Sequence, residues 1–121
     1  MEYKVTITGP AKRDLNYVSE YISEELQNKA AAKSLILEAR KAIRSLNHMP
    51  SRHALVNDEF LAGRGIRIFP VKNHIVFYVV REETKTVVIE RFLYGKRDWA
   101  TILKSDTFDY VEWQQKLWND E

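Results

Sequence analysis

Two apolar stripes at helical spacing, separated by only a few polar residues, constrain the fold of this chain more than any other feature. The first stripe consists of Ala11, Leu15, Val18, Ile22 and Leu26. The second stripe consists of Ala32, Leu35, Ile36, Ala39, Ala42, Ile43 and Leu46. Intervals of three and four place such side chains on one face of a helix. With Asn28 as a possible N-cap and Met49-Pro50 beyond the second stripe, the pattern predicts an antiparallel helix hairpin.

Four segments rich in β-branched and aromatic residues are predicted to form a sheet beside this hairpin. Residues 3–7 alternate between apolar and polar side chains and end at Gly9-Pro10. After a segment at 50–63 that we expect to be irregular, strands are predicted at 65–69, 75–80 and 86–93. The order β-α-α-β-β-β indicates an α+β fold. In it, the last three strands form an antiparallel meander and the hairpin covers one sheet face.

One core is expected between the hairpin and the sheet. Its predicted members are Leu15, Val18, Ile22, Leu35, Ile36, Ile43, Val76, Tyr78 and Ile89. Residues 98–103 are predicted to form one or two further helical turns. The segment beyond them is aromatic and acidic, and we expect a tail helix around Phe108–Trp118 that packs on its own domain.

Composition excludes several classes of function. A length of 121 residues fits one domain. The absence of cysteine excludes disulfides, thiolate nucleophiles and iron–sulfur sites, and it favours a reducing cytoplasm. We expect no secretory leader, because the first residues already alternate as in a strand. The sequence has no apolar run long enough for a bilayer, no phosphate-binding glycine loop and no nucleophile elbow. His48, His53 and His74 lack metal-ligand spacing, so we expect no metal and no cofactor.

Charge is distributed unevenly along the chain. Residues 1–104 carry 18 basic and 12 acidic side chains, a net charge of +6, whereas residues 105–121 carry a net charge of −4. A basic body can bind a polyanion or an acidic protein partner. Several cations lie on or beside the last three strands, together with Tyr94: Arg64, Arg67, Lys72, Arg91, Lys96 and Arg97. Arginine and tyrosine on an open sheet face can bind phosphate and stack on bases. Arg67 alternates with Ile66 and Ile68, so it is expected to point away from the core.

Four segments in this order carry a family resemblance. They are Gly65-Ile66-Arg67, Ile75-Val76-Phe77-Tyr78, Val88-Ile89-Glu90-Arg91 and Leu93-Tyr94-Gly95-Lys96-Arg97-Asp98. Together they resemble the RelE/ParE superfamily of bacterial toxins, whose last strand closes on a hydrophobic–His–Gly–basic–Arg–Asp signature. Tyr94 stands here in place of the histidine. The long helix hairpin and Met49-Pro50-Ser51-Arg52 are more similar to the ParE branch. The resemblance implies a toxin domain at 1–104, with 105–121 as an acidic, aromatic extension of it.

The two branches of this superfamily imply different activities. RelE-like members resemble ribosome-dependent mRNA endonucleases, whereas ParE-like members poison DNA gyrase and show no nuclease activity. Of the positions that the RelE pattern uses for cleavage, Arg67 and Arg97 match. The others fall on Phe69, Ile75 and Leu103. The resemblance therefore implies a ParE-like inhibitor. The alternatives are a RelE-like mRNA endonuclease and an inactive binding module.

These observations give a set of expectations. The chain is predicted to be a cytoplasmic toxin of a type II toxin–antitoxin (plasmid stabilisation) system that binds DNA gyrase. If the nuclease alternative holds, the ribosome and mRNA are the partners, and the catalytic residues are Arg67, Arg97 and Tyr94. The predicted target-binding residues are Arg64, Arg67, Arg91, Tyr94, Lys96 and Arg97. A cognate antitoxin is expected on the helix hairpin near Leu15, Val18, Ile22 and Leu35. We expect no membrane partner, and operator DNA only through the antitoxin.

Overall fold

The computed structural model of this chain describes residues 2–106. The predicted tail helix around Phe108–Trp118, and its docking on the body, lie outside the described residues. Strand β1 (Lys4–Ile7) leads into helix α1 (Gly9–Glu20), a π-helical turn (Tyr21–Glu25) and helix α2 (Lys29–Ser45). A 3-10 turn (Pro50–Arg52) and the short helix α3 (Glu59–Gly63) follow. The remaining elements are β2 (Arg67–Val71), β3 (His74–Arg81), β4 (Thr86–Tyr94) and helix α4 at 99–106.

Side-chain caps fix where the hairpin helices begin. The Thr8 hydroxyl accepts a hydrogen bond from the Ala11 amide, and the Asn28 side chain accepts one from Ala31. Each cap satisfies one of the amides that the first helical turn leaves without a partner. Between the helices, Gln27 has a φ of 48°, a backbone conformation that turns the chain back on itself. The predicted antiparallel helix hairpin is therefore confirmed.

The four strands form one sheet in the order β1-β4-β3-β2. β1 pairs in parallel with β4, with Lys4 opposite Thr86, while the other two pairs are antiparallel. A bulge interrupts the β3–β4 register, because Phe77 lies opposite Arg91 and Tyr78 lies opposite Ile89. The predicted α+β fold and the three-stranded meander are confirmed.

The sheet packs on both faces. The core predicted between the hairpin and the sheet is confirmed for all of its predicted members except Ile36, and a second core that was not predicted covers the other face. The hairpin-side core includes Val18, Leu35, Ile43, Val76, Tyr78 and Ile89, with Leu15 and Ile22 packed against it. A second, loop-side core includes Val56, Leu61, Ile66, Phe77, Val79, Leu93 and Leu103. The continuous apolar run of β3 is explained by this burial, because alternate side chains enter opposite cores.

Three details differ from the sequence-based expectations. The segment at 50–63 contains α3, which the Asp58 side chain caps by accepting a hydrogen bond from the Leu61 amide. Strand β2 continues through Pro70, which an edge strand tolerates because a proline there removes no ladder hydrogen bond. Ile36 is half-buried and lines a surface groove between the helices instead of joining the core.

Candidate functional site

An apolar groove of about 680 Å³ runs between the start of the hairpin and the sheet. We call it the hairpin groove. Its lining residues are Asp14, Tyr17, Val18, Tyr21, Ile22, Leu26, Ala31, Leu35, Lys72, Asn73, His74, Phe92, Tyr94 and Arg97. Val18 and Leu35 are buried and form part of its floor, whereas Tyr17, Tyr21 and Leu26 are exposed at its rim. An exposed apolar cluster of this kind is typical of a surface that binds another polypeptide.

The turn after β4 supplies the sheet-side wall of this groove. The Gly95 amide donates to the Asn73 carbonyl at 2.8 Å, which joins the turn after β4 to the β2–β3 turn. A Cβ at Gly95 would lie 3.3 Å from that carbonyl oxygen, so the close approach favours glycine. Lys72 donates to the Ser34 hydroxyl at 2.9 Å. Arg97 forms no ion pair within the described residues and is exposed at this wall.

His74 lies between the aromatic rings of this wall. Its imidazole stacks on Phe92 with ring centroids 5.2 Å apart, and it meets the edge of Tyr94 at 5.5 Å. Burial lowers the pKa of His74, and its Nδ1 atom has no hydrogen-bond partner in the described residues. The groove wall is therefore uncharged at His74 near neutral pH, and its charge comes from Lys72 and Arg97.

Arg91 braces the opposite wall. Its guanidinium pairs with Asp14 at 2.6 Å and with Asp106 at 3.0 Å. Asp14 also accepts a hydrogen bond from the Phe92 amide. The two carboxylates raise the pKa of Arg91, which keeps the side chain charged. Arg91 was predicted from its charge to bind a target, but in the structure it ties α1 and α4 to β4.

Arg67 lies in a different region, which we call the Arg67 corner and define by Arg52, His53, Arg67 and Tyr78. Arg67 was expected to point away from the core, but it lies opposite Tyr78 and its side chain donates to the His53 carbonyl at 2.7 Å. The buried Tyr78 hydroxyl donates to the Pro50 carbonyl at 2.6 Å. Burial raises the pKa of Tyr78 to about 12, so this phenol stays protonated.

His53 completes this corner. Its ring lies 4.0 Å from the Phe69 ring and contacts Tyr78 edge-on. Burial and the neighbouring Arg52 charge both lower the pKa of His53. Arg52 itself donates to the carbonyls of Ser45, His48 and Met49. The polar groups of this corner therefore hold the loop after α2 against β2 and β3.

The remaining predicted residues are spread over the surface. Arg64 is exposed at the end of α3. Burial raises the pKa of Glu90, and the charges of Arg64 and Arg81 oppose that shift in part. Lys96 is exposed in the turn after β4. Leu15 lines a second groove of about 480 Å³ between the hairpin helices, beside Lys12, Arg40 and Arg44. The structure thus brings Tyr94 and Arg97 together with Val18, Ile22 and Leu35, and it places Arg64 and Arg67 elsewhere.

Sequence reasoning missed several groove residues. Tyr17 and Tyr21 stand four residues apart on the first helical segment, and their rings stack with centroids 6.3 Å apart. That spacing was a signal that could have been found, because residues four apart share a helix face. Across residues 2–106, no cluster of histidine, aspartate and glutamate could hold a metal ion. In the same residues, no helix is long and apolar enough to cross a membrane.

Comparison with known proteins gives the family. The family model of the ParE toxin of the type II toxin–antitoxin system parDE matches residues 5–99 of this chain. A search of curated proteins by sequence finds no match. A chromosomal ParDE toxin–antitoxin system from P. aeruginosa is similar in structure, with a TM-score of 0.64 and 15% identity over 78% of this chain and 98% of that one. The toxin–antitoxin complex RelBE2 from Mycobacterium tuberculosis is also similar, with a TM-score of 0.57 and 21% identity over 78% of this chain and 99% of that one.

These matches define the class as the RelE/ParE superfamily of toxins, as the sequence resemblance implied. Within it, the chain belongs to the ParE toxin family of type II toxin–antitoxin systems, because the family model covers most of its length.

Proposed function

We propose that this protein inhibits growth by binding DNA gyrase, and that a cognate antitoxin neutralises it by binding the hairpin groove. The observation that carries the inhibitor proposal is the environment of the positions that a RelE-like nuclease would use. Phe69 packs against the hairpin-side core, while Ile75 and Leu103 belong to the loop-side core. These positions contribute apolar packing and no acid, base or cation.

The remaining candidate catalytic residues also do not meet at one centre, because Arg67 is far from Tyr94 and Arg97. Arg67 on β2 lies opposite Tyr78 of β3, and Tyr94 on β4 lies opposite His74 of β3. Arg67 and Tyr94 are therefore offset by four positions along β3. At about 3.3 Å per residue and about 4.8 Å between strands, their Cα atoms are roughly 16 Å apart. Acid–base catalysis needs groups within hydrogen-bond reach of one reacting centre. Losing even one charge-stabilising donor typically slows such a reaction by about 10²–10³. This spacing favours an activity exerted by binding.

The gyrase target rests on membership of the ParE family, and it is tested directly. The purified toxin is added to a gyrase supercoiling assay and, in parallel, to programmed ribosomes whose mRNA 3′ ends are mapped. Loss of supercoiling with intact mRNA is the expected result. Codon-positioned cleavage that Arg97→Ala abolishes, with supercoiling unaffected, would establish the nuclease instead. No effect in either assay would indicate an inactive binding module.

The antitoxin proposal rests on the apolar rim of the hairpin groove and on the net charge of +6 on residues 1–104. A disordered acidic segment can cover such a surface by folding as it binds. The candidate partner is the protein encoded by the neighbouring reading frame. Its association rate is expected to fall as salt is added, because charge attraction speeds the encounter. Association kinetics that do not change with salt would contradict the electrostatic part of the proposal.

A matched pair of variants tests the location of antitoxin binding. Tyr17 and Phe60 are both exposed aromatic residues, but only Tyr17 lines the hairpin groove. Tyr17→Ala is expected to speed dissociation of the antitoxin, and Phe60→Ala to leave it unchanged. Equal effects of the two substitutions would show that the antitoxin binds elsewhere. That result would leave the proposed gyrase target untouched.

A further inference from the structure

The hairpin groove lacks a cover within residues 2–106, although its rim is strongly apolar. Tyr17, Tyr21 and Leu26 account for three of the largest exposed apolar side chains, and Tyr94 adds a fourth from the sheet side. All four line the same groove. Apolar clusters of this size on a single chain generally mark a surface that another segment covers.

The described part of the chain ends beside this groove. The last described residue of helix α4 is Asp106, whose carboxylate accepts from the Arg91 guanidinium at 3.0 Å. The same guanidinium binds Asp14, and Asp14 lines the groove. Only the Arg91 side chain therefore separates Asp106, the last described residue, from Asp14 in the groove wall.

The composition of the last 15 residues complements the groove. Residues 107–121 carry four acidic side chains and one lysine, a net charge of −3. Their apolar residues are Phe108, Tyr110, Val111, Trp113, Leu117 and Trp118. The groove offers apolar walls and the cations Lys72 and Arg97, while the charge of Asp14 is compensated by Arg91. Apolar side chains with acidic neighbours match that combination.

The length of the segment is sufficient to follow the whole groove. From Asp14 to Leu26 the groove follows 12 helical positions, about 18 Å at about 1.5 Å per residue. Fifteen residues span about 22 Å as a helix, and at most roughly 50 Å when extended. Reach therefore does not limit contact in either conformation.

We propose that residues 107–121 occupy the hairpin groove of their own chain. Because the segment is covalently attached beside the groove, its effective concentration there is on the order of millimolar, so weak contacts suffice to keep it bound. Any partner that uses this groove must first displace it. Occupancy does not depend on the toxin's target, whereas competition with an antitoxin rests on the proposed function.

A spin label on the tail tests this occupancy in the full chain. The chain has no cysteine, so Asn119→Cys provides a single attachment point. The expected result is paramagnetic broadening of amide signals from residues that line the groove, such as Tyr21, Ala31 and Asn73. The signals of Thr84 and Lys85, in the turn between β3 and β4, should remain sharp. Broadening confined to residues 99–106, or absent from the groove, would overturn the proposal.

Two exposed leucines provide the matched variants. Leu26 is 57% exposed in the groove, and Leu37 is 51% exposed on α2 outside it. Leu26→Asp is expected to abolish the broadening of groove signals, because it adds a charge of the same sign as the tail. Leu37→Asp should leave the broadening intact. If both variants keep the broadening, the tail does not bind in the groove.

Mixing isotopes separates docking on the same chain from docking on a second copy. Spin-labelled chain without ¹⁵N is mixed with ¹⁵N-labelled chain that carries no spin label. Sharp groove signals in this mixture support occupancy within one chain. Broadened groove signals would show exchange of tails between copies and would overturn the proposal. Because neither gyrase nor antitoxin is present, failure here is distinguishable from failure of the proposed function.

Discussion

The hairpin groove and the Arg67 corner belong to the same sheet but use their polar groups in opposite ways. In the corner, Arg67 donates to the His53 carbonyl and Tyr78 donates to the Pro50 carbonyl. In the groove, Arg97 is exposed without an ion pair among the described residues, and apolar side chains form the rim. The difference teaches that cations near a strand indicate a binding site only where the fold does not already use them.

The largest expected effect is on the ion pair that braces the groove. The Arg91 and Asp14 side chains are only 15% and 11% exposed. Arg91→Ala leaves the Asp14 carboxylate without its partner, so we expect the free energy of unfolding to fall by about 3–5 kcal/mol. Arg97→Ala, at the exposed wall, should change it by less than about 0.5 kcal/mol. Denaturant unfolding measures both, and similar losses would show that the two arginines are not used differently.

The next largest effect on the free energy of unfolding is expected at the floor of the hairpin groove. Leu35 is 4% exposed in the hairpin-side core, and Leu37 on the same helix is largely exposed. Leu35→Ala should lower the free energy of unfolding by about 2–5 kcal/mol, because it removes buried carbon and leaves a cavity. Leu37→Ala is the control, with an expected change within about 0.5 kcal/mol. Thermal or denaturant unfolding measures the difference. A loss under 1 kcal/mol at Leu35 would mean that the floor collapses around the smaller side chain.

A smaller effect is expected at the Arg67 corner. Tyr78→Phe removes the hydroxyl that donates to the Pro50 carbonyl and leaves a buried acceptor unpaired. This should cost about 1–3 kcal/mol of unfolding free energy. Tyr94→Phe is the matched change in the groove, where the tyrosine is exposed, and should be close to neutral. Equal costs would contradict the distinction between an internally bonded corner and an open groove.

The smallest expected effect is on the pKa values of the two histidines, His53 and His74. The pKa values of His53 and His74 both lie below the ordinary 6.5, but only His53 has a neighbouring cation as a cause. Arg52→Ala should therefore raise the pKa of His53 towards 6.5 and leave that of His74 unchanged, as NMR titration of the ring protons can measure. Both rings favour the neutral state in the fold. Their contribution to stability is therefore complete above pH 6.5 and decreases as the pH falls through that value. Stability that rises between pH 7 and pH 5.5 in the parent, and that substitution of both histidines abolishes, would contradict this sign.

Local patterns in the sequence were sufficient for most of the fold. The helical spacing of Leu15, Val18 and Ile22 and the alternation in β1 correctly predicted elements whose backbone hydrogen bonds and buried faces are decided by nearby residues. Pro70 was read as the end of a strand, and the prediction failed because edge position, a property of the whole sheet, decides whether proline is tolerated.

The site was harder to predict because its residues are paired across long sequence distances. Arg91 meets Asp14, 77 residues away, and no spacing rule connects them. The bulge in β4 is a second cause, since Ile89 and Phe92, three apart, both face the hairpin-side core. Strict alternation would have placed them on opposite faces. Tyr94 and Arg97 are the exception, because they lie in one turn, where the Arg97 amide donates to the Tyr94 carbonyl, and both line the groove.

The pairing of β1 with β4 also determines when the protein can fold during its synthesis. Among the four described strands, β4 hydrogen-bonds to both β1 and β3 and is the last to leave the ribosome, so Lys4 must wait for Thr86. Contacts between residues so distant in sequence form late and slowly. A nascent chain that stops before residue 86 therefore lacks the centre of its sheet, and its helix hairpin has no complete surface to pack on. Truncated products that end before β4 should consequently remain unfolded and be removed by proteases.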